Sequence, residues 1–193
     1  MTKTLTFDTA SGYCAACLLI AGAPIVRVDH MAKGQAEHLM PMLEEMLASA
    51  ALRWSDLHAI GVGTGPGNFT GIRISVSAAR GLALGLGIPA VGVTHLEAQV
   101  HGLPRPVAAQ CTAPRGQVYL QTFTDDVGPP ALVPAESNEA ASAAPLLAPE
   151  ALIQNMAEIT AARFATATTR PAPYYVRQAD AAPPRDAPPV ILA

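Results

Sequence analysis

Short apolar runs separated by turn residues dominate the first 30 residues of the chain. Residues 5–8, 14–20 and 25–29 form three such runs, and the small residues between them favour tight turns. Short turns imply antiparallel pairing, so the pattern predicts three consecutive strands that pair in this way. Further compact apolar runs predict strands over residues 59–63, 90–93, 107–112 and 117–124.

Apolar residues recur at helical spacing in the stretches between these later strands. One amphipathic helix is predicted from Leu39, Met42, Leu43, Met46, Leu47 and Ala50. Pro41 lies early in this segment, so either the regular helix begins near it or the helix is kinked there. Three more helices are predicted: residues 70–86 with Thr70 as N-cap, a short helix through His101 with Thr94 as N-cap, and residues 149–164.

The predicted helix over residues 70–86 carries small residues on a single i, i+4 ridge. This ridge consists of Gly71, Ser75, Ala79, Ala83 and Gly87. Small side chains allow another element to approach the helix axis closely. Packing within the chain and contact with a partner protein are both compatible with such a ridge.

The composition changes beyond residue 125, where 11 of the 18 prolines lie. Much of residues 126–149 is therefore expected to lack regular structure, and residues 181–189 are expected to be extended. The net charge is −3 and the basic residues are scattered, which argues against autonomous nucleic-acid binding. The sequence shows neither a membrane-spanning apolar stretch nor a secretory signal, so the expected location is the cytoplasm.

Cys14 and Cys17 form a C-x-x-C pattern inside an apolar run. In a strand, residues three positions apart point to opposite faces of the sheet. We therefore expect two buried structural thiols rather than a zinc or redox pair.

The residues between the predicted strand 59–63 and the next helix form a glycine-rich loop. It reads Gly65, Pro66, Gly67, Asn68, Phe69, Thr70, Gly71, Ile72 and Arg73. The amides at such a helix start can hold an anion, and the glycines equally allow a tight turn on which another element packs. The Gly-Lys-Ser/Thr ending of a P-loop is missing, and both interpretations stay open.

The order β-β-β-α-β-α-β resembles the ribonuclease-H-like lobe of the actin, Hsp70 and sugar-kinase superfamily. Together with the glycine loop, the chain resembles the TsaB (YeaZ) family more narrowly. Glu37-His38-Leu39-Met40-Pro41, Arg115-x-x-Val118-Tyr119 and Pro173-x-Tyr175-x-Arg177 reinforce this resemblance. It implies an actin-like α/β fold with a complete first lobe (residues 1–100), a reduced second lobe (101–178) and an extended tail (179–193).

The resemblance also implies a function. Proteins of this family are non-catalytic subunits of the complex that adds threonylcarbamoyl to the adenosine beside the tRNA anticodon. The expected partner is a TsaD-type transferase, and a TsaE-type ATPase is a further candidate. Alone, the chain is expected to form a homodimer, and it is expected to contact tRNA only through the complex. No cofactor, metal or catalytic residue is expected. The helices expected to contact the partner carry Leu39, Met42, Leu43, Met46, Gly71, Ser75, Ala79 and Ala83.

Two enzymatic alternatives are weaker. An ATP-binding, kinase-like enzyme would use Asp8 to position Mg²⁺, but glycine-rich nucleotide loops are missing after residue 100. A metalloprotease would need converging ligands, and the five histidines form neither an H-x-x-x-H nor an H-E-x-x-H pair. These histidines are His30, His38, His58, His95 and His101.

Overall fold

A five-stranded sheet forms the centre of the computed structural model, which describes residues 1–176 of the 193-residue chain. Its strands are β1 (Lys3–Asp8), β2 (Tyr13–Ile20), β3 (Ala23–His30), β4 (Ala59–Gly63) and β5 (Ala90–Val93), in the order β3-β2-β1-β4-β5. Strand β2 pairs antiparallel with both β1 and β3. On the other side of β1, β4 pairs parallel with β1, and β5 pairs parallel with β4. This ribonuclease-H-like arrangement confirms the predicted actin-like α/β fold.

Two long helices cover one face of this sheet: α1 (Gln35–Ser49) and α2 (Phe69–Leu86). Their inward side chains pack on Leu5, Phe7 and other fully buried residues of β1 and β4. Helix α1 begins directly after Gly34, which has the left-handed φ of 91°, and continues through Pro41. The regular helix therefore starts six residues before the proline.

The opposite face of the sheet is covered by α5 (Pro149–Arg163), with the short helix α3 (His95–Gln99) beside it. Ile153 and Met156 of α5 are fully buried against strand residues that include Cys17 and Val93. Helix α5 thus brings the later part of the chain back to the five-stranded sheet. The predicted lobe boundaries stay a prediction, and the predicted tail 179–193 lies outside the described residues.

A second, three-stranded antiparallel sheet consists of β6 (Val107–Ala113), β7 (Gln117–Phe123) and β8 (Ala131–Pro134). The short helix α4 (Asn138–Ala141) follows it, with Ser137 as N-cap. Much of residues 126–149 lacks regular structure, as expected, but β8 and α4 within this stretch were not predicted. Strand β8 is an edge strand, and Pro134 ends it, so the proline does not interrupt a ladder with further strands.

The two cysteines of the C-x-x-C pattern lie on opposite faces of strand β2, as predicted. Cys14 belongs to the core beneath α1 and α2, and Cys17 belongs to the core beneath α5. Burial raises the pKa of Cys14 to about 11 and that of Cys17 to about 12. Both are free thiols in apolar surroundings. Within residues 1–176, no helix is both long and apolar enough to cross a lipid bilayer.

Candidate functional site

The glycine loop places the start of α2 against the turn that follows β1. Asn68 is the N-cap, because its Oδ1 accepts a hydrogen bond from the Gly71 amide at 2.8 Å. The prediction of Thr70 as N-cap was wrong. The helix begins one residue earlier than expected, so Thr70 lies within its first turn and is exposed.

The loop glycines allow a close approach of backbone to backbone. A Cβ atom at Gly71 would lie 2.0 Å from the carbonyl oxygen of Thr9, and one at Gly67 would lie 2.5 Å from that of Ala10. The Thr9 hydroxyl donates to the Gly71 carbonyl at 2.6 Å, and the Asn68 amide donates to the Ala10 carbonyl at 2.7 Å. These contacts support the packing interpretation of the loop over the anion-binding one.

Two other loop residues, Phe69 and Arg73, hold the C-terminal segment through contacts with Tyr175. The rings of Phe69 and Tyr175 stack with centroids 5.0 Å apart, and the Arg73 guanidinium carbon lies 3.8 Å from the Phe69 centroid. Arg73 Nε also donates to the Tyr175 hydroxyl at 2.9 Å. The remaining residue of the family's C-terminal motif, Arg177, lies outside the described residues.

The side chains predicted to contact a partner protein face the sheet of this chain. Each of the eight is buried: Leu39, Met42, Leu43, Met46, Gly71, Ser75, Ala79 and Ala83. The ridge of small residues on α2 allows the helix to pack closely on β4 and β1. A role of the two helices in partner binding stays a prediction, but a partner docking on the folded chain would contact their outer faces.

A cleft of about 500 Å³ opens between the two sheets. It lies between the turn after β1, the glycine loop, the start of α3 and the β6–β7 hairpin, and its lining includes Tyr13, His95, Gln99, Cys111, Tyr119 and Leu147. Among the described residues, no Lys, Arg, Asp or Glu lines it. A described lining without Lys or Arg lacks the usual partners of a nucleotide's phosphates, which counts against the ATP-binding alternative.

Asp8 meets His95, one of the residues that line this cleft, in the buried region beneath it. Nε2 of His95 lies 3.1 Å from Oδ1 of Asp8, and Oδ2 of Asp8 accepts a hydrogen bond from the Ala10 amide at 3.3 Å. Burial lowers the pKa of His95, but the neighbouring Asp8 carboxylate and, less strongly, Cys111 together raise this pKa to about 10. Asp8, the candidate for positioning Mg²⁺, is therefore paired with a protonated imidazole.

Sequence reasoning missed the functional potential of His95 and never singled out Cys111. Both residues line the cleft. They come from different elements, α3 and β6, so no spacing in the sequence signals the pair. Elsewhere, His38 pairs with Asp29 at 2.7 Å; no group of three His, Cys, Asp or Glu side chains within residues 1–176 is arranged to hold a metal ion.

Comparison with known proteins finds similarity to proteins named for tRNA modification. A family model described as "TsaD: tRNA N6-adenosine threonylcarbamoyltransferase" matches residues 26–129, more than half of the chain. The chain is 31% identical over 129 residues to the "tRNA threonylcarbamoyladenosine biosynthesis protein TsaB" of Escherichia coli (strain K12). The chain belongs to the TsaB (YeaZ) family.

A solved structure shares the fold of this TsaB-family chain, whereas the curated relatives match it over only part of their length. The solved structure of YeaZ from Pseudomonas aeruginosa superposes with a TM-score of 0.70 at 24% identity, covering 91% of this chain and all of that one. The TsaB protein of Haemophilus influenzae is 32% identical over 122 residues, which cover 60% of this chain. The matched regions span 56% of the E. coli protein and 51% of the H. influenzae protein, about half the length of these relatives.

Proposed function

We propose that this chain is a non-catalytic subunit in the threonylcarbamoylation of tRNA, which binds and stabilises a TsaD-type transferase. The observation that carries the proposal is its similarity to the two proteins named for tRNA threonylcarbamoyladenosine biosynthesis. The cleft also supports it, because its described lining offers no Lys or Arg to the phosphates of the ATP that a kinase-like enzyme would bind.

The surface proposed for the transferase is the outer helical face, which we define by residues of α1 and α2 that keep exposed surface in this chain. Its apolar side chains are half-buried: Met40, Ile74, Ala78 and Leu82. Beside them, Ser77, Gly81 and Gly85 are exposed. A Cβ atom at Gly81 or Gly85 would meet no neighbour within 4 Å, so a helix of another protein has room to approach α2 closely at these positions.

Two helices of a partner on this face would complete a four-helix layer. A second copy of the chain can use the same face, which accounts for a homodimer in the absence of the transferase. A TsaE-type ATPase would then join as a third subunit. Contact with tRNA would depend on the complex, because a chain with a net charge of −3 supplies little attraction for phosphates.

Binding of the purified chain to a TsaD-type transferase from the same genome tests this proposal. Gly81→Leu adds bulk at an exposed position where a Cβ atom meets no neighbour within 4 Å, and Ala151→Leu adds bulk to the exposed side of α5. In isothermal titration calorimetry, we expect Gly81→Leu to weaken binding by at least about tenfold, or roughly 1.4 kcal/mol, and Ala151→Leu to leave it unchanged. Equal affinities of the wild type and Gly81→Leu would contradict the assigned face, and the absence of any complex would contradict the function.

A further inference from the structure

A second cavity, of about 450 Å³, lies where the chain leaves α2 and enters β5, and we call it the α2-end cavity. Its lining comes from three segments: the end of α2 (80–87), the link to β5 (88–90) and residues 167–171, which follow α5. The Ile88 amide donates to the Ala83 carbonyl at 3.1 Å, which fixes the end of the helix. Pro171 is buried, and a Cβ atom at Gly92 of β5 would lie 3.2 Å from its Cβ. The cavity is therefore formed before any ligand binds.

Apolar side chains supply much of the lining of the α2-end cavity. They include Leu84, Ile88, Pro89, Ala167 and Pro171. Leu84 is 79% exposed, so almost all of its side chain is in contact with solvent. Covering such a side chain with an aliphatic ligand removes apolar surface from water, which favours binding. The cavity thus offers an apolar surface of the size that small molecules occupy.

The charges that line the α2-end cavity are positive. Arg80 on α2 and Arg170 on the returning segment both line it, and no Asp or Glu is among its described lining residues. Neither arginine forms an ion pair or a side-chain hydrogen bond with another residue of the range 1–176, whereas Arg163, for example, pairs with Glu97. Guanidinium groups bind carboxylates and phosphates through paired N–H donors. The two arginines are therefore available to an anionic group on a ligand.

The end of α2 favours a carboxylate over a phosphate as this anionic group. Gly87 is the C-cap of α2 and also lines the cavity, so the negative end of the helix dipole lies beside it. This end opposes a phosphate with two negative charges more strongly than a carboxylate with one. A carboxylate also matches the planar fork of a guanidinium group.

We propose that the α2-end cavity binds a small aliphatic monocarboxylate, with the alkyl chain on the apolar lining and the carboxylate on Arg80 and Arg170. The apolar residues supply the affinity for the chain, and the arginines select a ligand that ends in a negative charge. The proposal does not depend on the role in tRNA modification, because the isolated chain contains every residue of the cavity.

The test titrates octanoate into the native full-length chain at pH 7 and low ionic strength, and NMR spectra of the backbone amides locate the site. We expect the amides of Gly87, Thr168 and Thr169 to shift with a dissociation constant of about 1 mM or lower. Octan-1-ol has the chain without the charge, and inorganic phosphate has charge without the chain. Each is expected to bind at least about tenfold more weakly than octanoate. Equal affinity for either compound, or octanoate shifts confined to other parts of the chain or absent, would overturn the proposal.

Variants at exposed positions separate the contributions of charge and apolar surface without disturbing the core. The double variant Arg80→Gln/Arg170→Gln is expected to weaken octanoate binding by at least about tenfold and to leave octan-1-ol unaffected. Arg115→Gln, at an exposed arginine of the β6–β7 hairpin outside the cavity, is the control and is expected to change neither. Leu84→Ser is expected to weaken both ligands severalfold. Octanoate binding that the double variant leaves unchanged would also overturn the proposal.

Discussion

Nε2 of His95 lies 3.1 Å from Oδ1 of Asp8, and both side chains are almost fully buried. Burial of the imidazolium lowers the pKa of His95, but the neighbouring Asp8 carboxylate and, less strongly, Cys111 together raise this pKa from 6.5 to about 10. Between these values, the folded chain keeps a proton that the unfolded chain has lost. The contribution to stability is thus fully present below pH 6.5 and is lost as the pH rises towards 10.

We predict that the free energy of unfolding falls between pH 7 and 8.5 with a slope of up to about 1.4 kcal/mol per pH unit. Urea denaturation at half-unit intervals measures the slope. His95→Gln is the control and is expected to flatten the profile in this window. The range ends at pH 8.5 because the buried Cys14 and Cys17, whose ordinary pKa is 9.0, add to the loss of stability at higher pH. A wild-type profile without a slope would contradict the ion pair.

Two glycines of α2 are expected to respond to alanine with opposite signs. Gly71→Ala places a Cβ 2.0 Å from the carbonyl oxygen of Thr9, so it should destabilise the fold by on the order of 2 kcal/mol or more. Gly81→Ala fills open space on the same helix and should stabilise it by up to about 1 kcal/mol. Urea midpoints compare the two variants directly, and equal shifts would refute the close packing of the glycine loop.

Capping of α2 by Asn68 rather than Thr70 gives a third prediction. Asn68→Ala removes the acceptor for the Gly71 amide and should cost about 1 kcal/mol of stability. Asn68→Ser keeps a capping oxygen and should cost less, and Thr70→Ala should not produce the loss of a cap. A larger loss for Thr70→Ala than for Asn68→Ala, measured by thermal denaturation, would show that the helix starts elsewhere.

Tyr175 is expected to fix the C-terminal segment through its contacts with Phe69 and Arg73. Tyr175→Ala removes the stacked ring and the hydroxyl acceptor and should weaken this attachment by roughly 1 kcal/mol. Hydrogen exchange of the Tyr174 amide, which donates to the Thr64 carbonyl at 2.8 Å, reports the change locally. Tyr175→Phe keeps the stacking and should exchange at an intermediate rate. Unchanged exchange in both variants would indicate that other contacts hold the segment.

Local pattern was sufficient to predict most of the fold. The strands β4 and β5 match their predicted bounds, because compact apolar runs between turn residues have few alternative structures. The opposite faces of Cys14 and Cys17 follow from the period of two in a strand. Strand β8 escaped prediction because it has only four residues, ends in Pro134 and lies in a proline-rich stretch whose composition favours irregular structure.

The site was less predictable because it depends on contacts between distant elements. Asp8 was identified by its place at the end of a strand, but its partner His95 belongs to a helix beyond β5 and was considered only as a metal ligand. The ridge of small residues was recognised, yet periodicity does not distinguish a face that packs on its own sheet from one that meets another protein. Only the tertiary structure shows that the ridge packs on the chain's own sheet.

Nucleoside mass spectrometry of bulk tRNA tests the central claim most directly. The cells are depleted of this protein and complemented with the wild type, with Gly81→Leu or with Ala151→Leu. We predict that threonylcarbamoyladenosine disappears on depletion, returns with the wild type and Ala151→Leu, and stays low with Gly81→Leu. An unchanged level of the modified nucleoside in depleted cells would contradict the proposed role in tRNA modification.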